Sequence, residues 1–289
     1  MYRAIISLID RQESWAKPFG EKVQHWLAGV FDRTRPAKDI LNGTWLGHPV
    51  HPVFTDVPVG ALTVAAVLDV AGQETAADIA VATGVAAMTA SAVTGLADGV
   101  DTYGRQQVYA TVHATLMASS LVAYTGSLLL RMGPRAGRPL AVAASMAGYA
   151  ALTAGAYVGG ELVFRQANQV DRHAFESVGT KWKALDVGEV PAGKLVKAKT
   201  TTDALVLYRA TDGAPIQALH AVCAHAGGPL DKGTVVDGCV ECPWHGSRFR
   251  LDDGHVSRGP AVYDQPVFEV RERPEGGLEA RRVAMGGGA

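Results

Sequence analysis

The chain has 289 residues, a formal net charge of −1 and three Cys. That length allows two domains. The charge gives no electrostatic case for nucleic-acid binding, and so few Cys exclude a disulfide scaffold and suit a reducing compartment.

The first ten residues are not a secretory signal. Their apolar run is short, Asp10 and Glu13 follow at once, and no small-residue cleavage site is in view. The N-terminal segment has no twin-Arg pair. Val23, Trp26, Leu27, Val30 and Phe31 recur at helical spacing and predict an amphipathic helix over residues 20–32 within an N-terminal segment, 1–40. With Trp15 and Trp26 as anchors it would lie on membrane lipid, while an ordinary helix buried on the protein is the equal alternative. Pro36 and the Asn42-Gly43 pair are expected to break the chain.

Residues 53–164 are poor in charge and rich in Ala, Val, Gly, Leu and Thr. Residues 79–97, 106–130 and 139–160 hold no Asp, Glu, Lys or Arg and are long enough to cross a hydrocarbon core of about 30 Å. Residues 57–68, bounded by Asp56 and Asp69, make a shorter first span. The predicted unit is a transmembrane four-helix domain over 41–164, with Asp56 as the N-cap of its first helix and Pro58 in the first turn. Gly95-xxx-Gly99 and Gly155-xxx-Gly159 supply the close backbone approach that membrane helices use. Seven Lys and Arg in residues 1–47, and four more just after the last span, place the N-terminus, second loop and C-terminal domain on the cytoplasmic side. Arg131, Arg135 and Arg138 in the third loop argue the other way.

His48-Pro49 and His51-Pro52 precede the first span, and His113 stands about two turns into the third. In that topology the three His, with Asp98 and Asp101, share one face of the membrane. The stretch from Gly47 to Pro52 resembles the GHPxHP opening of a family of small four-helix membrane domains of unknown function, for which haem binding has been suggested. The resemblance covers 41–164, and His113 matches that family's His early in the third helix. It implies that His48 or His51 pairs with His113 on a haem, or joins the Asp residues in a metal site. In the alternative, His-Pro shapes the helix start and His113 bonds a neighbouring helix.

Residues 165–178 read as a polar linker in which His173 is solvated. From 179 the apolar period changes to two. Strands are expected in 194–199, at 204–208, at 266–271 and from 278 to 283, giving an all-β domain over 179–283 and a disordered tail at 284–289. Within it stand Cys223-x-His225 and, after sixteen intervening residues, Cys242-Pro-Trp244-His245-Gly246-Ser247. Each half offers one thiolate and one imidazole, the donor set of a [2Fe–2S] centre with Cys on one iron and His on the other. A Cys2His2 zinc site is the competing reading, although zinc motifs favour CxxC and HxxxH spacing.

The CxH…CPxHG pattern resembles the Rieske family, and Gly259-Pro260-Ala261 resembles its proline loop. The resemblance implies Cys223, His225, Cys242 and His245 as cluster ligands, with Ser247, Trp244, Gly246 and Pro260 around them. High-potential relatives add a disulfide, whose positions here are Gly228 and Trp244, and a Tyr, here Phe249. Fewer hydrogen bonds to sulfur lower the expected potential. Arg250 departs from the acidic residue common in the family. Cys239, in the strand leading into the Cys242 loop, reads as a buried inert thiol, and His220 and His255 as structural or surface residues.

Together these readings give a multidomain chain, an all-α membrane bundle followed by an all-β Rieske domain. It would be a membrane-anchored one-electron carrier with a redox partner protein or a quinone as partner. The alternatives are a cluster-based redox or iron sensor, or a transporter or scaffold in the middle domain. A complete Rieske oxygenase is not expected, because no second iron domain is in view.

Overall fold

The computed structural model describes residues 2–176, 179 and 181–283, residue 2 by its backbone alone. Contacts divide these residues into two units, 2–41 with 49–168 and 42–48 with 169–283. The tail expected at 284–289 lies outside the described residues.

The first unit is helical. Helices α1 (Tyr2–Asp10), α2 (Glu13–Arg33) and α3 (Arg35–Asn42) precede four longer ones, α4 (Val50–Val70), α5 (Glu74–Gly99), α6 (Arg105–Arg131) and α7 (Arg138–Phe164). All four are long and apolar enough to cross a membrane. Helix α4, at 21 residues, is about 31 Å long, close to the thickness of a hydrocarbon core. Three expectations need correction. Helix α2 runs from Glu13 through Pro18, well beyond 20–32. Pro36 does not break the chain but sits in the first turn of α3, where its missing N–H costs nothing. Asp56 is not an N-cap. Helix α4 starts at Val50, with Pro49 as its N-cap, so the first span is longer than its uncharged core.

Helices α4–α5 and α6–α7 form two hairpins, and α5 meets α6 while α7 meets α4. This ring leaves α4 and α6 diagonally opposed. The buried centre holds Leu62, Ala65, Val81, Met88, Tyr124 and Leu152. At one end Arg131 donates to Asp69 (2.9 Å) and Asp78 (2.7 Å), and Arg138 donates to Asp78 (2.6 Å). Two of the three third-loop Arg are thus held by carboxylates. Near α3, Lys38 donates to Asp101, so that carboxylate serves a buried ion pair.

The second unit is built of antiparallel strands. One sheet joins β1 (Lys183–Ala184), β2 (Val196–Lys199), β3 (Ala204–Tyr208), β4 (Gln217–His220), β9 (Val267–Glu272) and β10 (Leu278–Arg282) in the order β1-β10-β9-β4-β3-β2. The other joins β5 (Thr234–Val236), β6 (Cys239–Glu241), β7 (Arg248–Arg250) and β8 (Val256–Arg258) in sequence order. The expected strands at 204–208, 266–271 and 278–283 appear with small shifts at their ends, and the one at 194–199 begins at Val196. Of the second sheet only the strand that leads into the Cys242 loop was expected, because its strands have three residues each and no full period of alternation. Phe249, Leu251, Val240 and Leu230 fill the core beside Cys223 and Cys242.

Candidate metal centre

Two loops carry the Cys-His pairs, one after β4 and one between β6 and β7. Their backbones follow one plan. The N–H of Cys223 donates to the carbonyl of Gly228 (2.8 Å), and that of Gly227 to the carbonyl of Cys223 (2.9 Å). In the other loop Cys242 N–H donates to Ser247 (2.8 Å), and Gly246 N–H to Cys242 (3.0 Å). Each Cys therefore closes the same turn, with a Gly four residues on at φ of +83° and +74° respectively, a region that favours Gly. The His comes two residues after the first Cys and three after the second.

The four side chains are brought together. Cys223, His225, Cys242 and His245 are between 1% and 7% exposed. The imidazole centroids are 4.9 Å apart, with ring planes at 86°. The thiols share a hydrogen bond, which draws Cys242 down to about 7 and drives Cys223 well above the usual thiol value. Burial adds to the rise at Cys223. A pair of adjacent thiols, one of them ready to ionise near neutral pH, with two imidazoles alongside, is a fitting donor set for iron.

The surroundings act on the second loop. Ser247 Oγ accepts the N–H of Ala261 (3.0 Å), tying the Gly259-Pro260-Ala261 loop to it and leaving the hydroxyl proton free to donate. Arg258 donates through Nε (2.9 Å) and Nη2 (2.6 Å) to the carbonyl of Gly246. A Cβ added at Gly228 would lie 3.2 Å from the Trp244 ring, so the two positions where relatives place a disulfide do face each other. Trp244 is half exposed beside His245. Phe249 is fully buried, and Arg250 is held by Asp252 (3.0 Å). Cys239 is buried in β6, with Sγ 3.4 Å from Ser257 Oγ.

Sequence reasoning missed three neighbours. Arg258 lay in a strand too short to predict. Gln265 is fully buried beneath the first loop, a polar residue whose role no motif marks. His173, expected in solvent, is 4% exposed and bonded to Val222. Its polar neighbours in sequence hid a turn that folds onto the domain.

The structure separates the three membrane-domain His. His51 and His113 lie together, ring centroids 6.4 Å apart and planes at 85°. His48 is exposed and belongs to the second unit. His51 Nδ1 lies 3.0 Å from the carbonyl of Ser91 on α5, and His113 Nδ1 2.8 Å from that of Gly155 on α7. Gly95 and Gly159, four residues after those carbonyls, make room for the rings. A Cβ there would lie 2.8 Å and 3.1 Å from an imidazole carbon.

This correspondence extends along the helices. His51 and His113, Leu62 and Tyr124, and Asp69 and Arg131 are each 62 residues apart. Gly84 and Gly148, Ser91 and Gly155, and Gly95 and Gly159 are each 64 apart. The two hairpins are repeats, and equivalent residues of α4 and α6 meet across the bundle. The fixed spacings were the available signal in the sequence.

Comparison with known proteins agrees with both units. Residues 180–269 match the Rieske [2Fe-2S] domain, and residues 47–172 match the family described as "Predicted membrane protein (DUF2231)". Cholesterol 7-desaturase nvd of Xenopus laevis is 35% identical over 95 residues, 32% of this chain and 21% of that protein. The anthranilate 1,2-dioxygenase ferredoxin subunit of Burkholderia cepacia is 34% identical over 59 residues, 20% of this chain and 55% of that subunit. A solved complex of reduced oxygenase and oxidized ferredoxin in carbazole 1,9a-dioxygenase aligns at 24% identity and a TM-score of 0.31, over 36% of this chain and 94% of the matched one. The chain spans about a fifth of the length of the desaturase.

Proposed function

For a chain that carries a Rieske [2Fe-2S] domain, and so implies a [2Fe–2S] cluster, together with a DUF2231 membrane domain, we propose a membrane-anchored one-electron carrier. The observation that supports it is the pair of matching turns that bury two thiols and two imidazoles at one place. In this reading Cys223 and Cys242 hold one iron as thiolates, and His225 and His245 hold the other. When bound, the cluster takes up and gives back one electron. The chain excludes water from the sulfurs, and Ser247 offers its hydroxyl proton toward them. With Phe249 in place of Tyr and no disulfide at positions 228 and 244, the midpoint potential falls in the lower part of the range of about −150 to +300 mV.

Purified protein in detergent is expected to contain equal iron and acid-labile sulfide and to give a Rieske EPR signal once reduced. Zinc in place of iron, or a midpoint above about +200 mV, overturns the respective part of the proposal.

The partner in this reading is a redox protein or a quinone, and the membrane domain would hold a second redox group, a haem, with His51 and His113 as the residues that bind it. Its support is the repeat. A carbonyl only accepts, so each Nδ1 carries a proton and each neutral ring keeps its lone pair on Nε2. Holding the far nitrogen this way is how proteins orient metal-binding His. With centroids 6.4 Å apart, the two rings stand close enough that both could hold one iron, whose haem would supply the redox chemistry. Cytoplasmic placement of the Rieske domain is supported by the Lys and Arg flanking the bundle, while Arg131 and Arg138, which oppose it, are bound to Asp69 and Asp78. A Soret band in the purified protein would uphold the haem. Its absence from protein isolated from haem-replete cells would overturn it.

A further inference from the structure

The first cluster loop is gripped from two directions by side chains that are not among its ligands. Gln265 Nε2 donates to the carbonyls of His220 (2.7 Å) and Val222 (2.6 Å), and its Oε1 accepts the N–H of Ala224 (2.9 Å). One amide thus holds three consecutive parts of the strand-to-loop passage. From the other direction His173 Nε2 donates to the same Val222 carbonyl (2.8 Å). Beside it, the N–H of Arg172 reaches the carbonyl of Ala224 (3.4 Å).

His173 also forms a cluster with Glu176 and His220, whose ligand atoms lie within 4.8 Å of one another. The hydrogen bonds argue against a metal ion there. Val222 N–H donates to His220 Nδ1 (3.2 Å), so neutral His220 carries its proton on Nε2, the atom a metal would require. Neutral His173 carries its proton on Nε2, facing Val222. Its Nδ1 lies 3.0 Å from Glu176 Oε1 without making a hydrogen bond. Arg282 donates to the other carboxylate oxygen (3.0 Å), and Asp171 accepts the backbone N–H of His173 (2.9 Å). The turn at 171–176 is therefore fastened through the imidazole Nε2 to Val222 and through Glu176 to Arg282.

We propose that His173 and Gln265 are positioning residues for the Cys223–His225 loop, so that the segment leading into the Rieske domain forms one wall of the cluster cradle. The proposal rests on Cys223 and His225 being cluster ligands. Both residues act through the backbone of 222–224, which sets the direction of the Cys223 sulfur and the His225 ring. Loosening either grip changes the electronic environment of the cluster without removing a ligand.

The test uses the full chain in detergent, with EPR and a redox titration of each variant. Gln265→Glu keeps the acceptor for Ala224 but turns both donors into an oxygen that repels the His220 and Val222 carbonyls. His173→Phe removes the other donor, and His173→Gln restores an N–H near the Nε2 position. Gln265→Glu and His173→Phe are expected to bind cluster but show a broadened EPR spectrum and a shifted midpoint, with His173→Gln returning both toward wild type. Wild-type spectra and midpoint in both disruptive variants overturn the proposal. If His173→Phe loads no cluster, His173→Gln decides. Recovery supports the role of the Nε2 donor, and equal loss refutes it. Absence of a Rieske signal from the wild-type protein would instead refute the ligand assignment on which this rests.

Discussion

Two pairs of histidines are each brought close by a repeated element, but the elements differ in kind. His225 and His245 stand on loops that repeat a five-residue turn closed on each Cys. His51 and His113 stand on helices that repeat a whole hairpin. In the loops the turn places a sulfur first and the ring follows at an offset of two or three residues, so the pairs are equivalent at Cys and not at His. In the bundle the rings themselves are equivalent, each with a carbonyl and a Gly of its own hairpin. A turn fixes a site with local backbone hydrogen bonds, whereas a helix pair needs the register of two long elements.

The largest effect should come from removing a sulfur. Cys242→Ala leaves Cys223 without its partner, and the expected outcome is complete loss of the Rieske EPR signal, with helical circular dichroism unchanged. A retained signal would mean that the two turns do not form one site. Next comes the helical pair. His113→Ala should abolish any Soret band while the Rieske signal stays at wild-type intensity. Gly95→Ala, which places a methyl 2.8 Å from the His51 ring, should weaken the same band. Gly99→Ala is the control, since nothing lies within 4 Å of a Cβ there. Equal effects at 95 and 99 would break the comparison by showing that only helix contact matters.

The two sites were not equally legible in the sequence. The cluster loops could be read because a tight turn compresses its chemistry into a few adjacent residues, Cys223 to Gly228 and Cys242 to Ser247. The four spans were legible because lipid demands uninterrupted apolar helix. The hairpin repeat was harder to see, since its matching positions are different residues. Leu62 answers Tyr124, and Asp69 answers Arg131, so dissimilar residue types conceal the equivalence. The starts of α3 and α4 were misread because Pro36 and Asp56 suit several places near a helix start. His173 and Gln265 carry no motif, and only the folded backbone gives them partners.

The far end of the bundle offers a third measure of the repeat. Asp69 is fully buried and accepts from Arg131 and Arg138. Asp69→Asn leaves guanidinium charge with half its compensation, and should destabilise the bundle by about 3–5 kcal/mol. The pair Asp69→Leu with Arg131→Leu should cost less than the single change, because no charge is stranded. Thermal unfolding followed at the helical band distinguishes the two, and a costlier double variant would count against a direct pairing across α4 and α6.

Smaller effects are expected around the second cluster loop. If Ser247 donates to sulfur as proposed, Ser247→Ala should lower the midpoint by the equivalent of about 1 kcal/mol. It also strips Ala261 N–H of its acceptor, so slower cluster loading is expected too. An unchanged midpoint would leave Ser247 as a tie to the proline loop alone.

The smallest effect concerns Glu241, whose carboxylate accepts from Arg248 (2.6 Å) and lies 3.1 Å from Arg258, the residue that holds the Gly246 carbonyl. Burial pushes Glu241 upward, but the hydrogen bond from Arg248 and the charges of Arg258 and Arg248 outweigh it and hold the carboxyl below its ordinary 4.5. A group lowered in the folded state binds its proton more readily when unfolded. Its contribution is therefore present above about pH 4.5 and is lost as pH falls through the lower folded value. Glu241→Gln should flatten that part of the acid unfolding curve and cost at most about 1 kcal/mol at neutral pH, since the pair is partly exposed. The same change should leave any Soret band unmoved, because the carboxylate acts on a loop and the bundle is built from its own carbonyls. Acid unfolding identical to wild type would show that Arg258 holds Gly246 without help from Glu241.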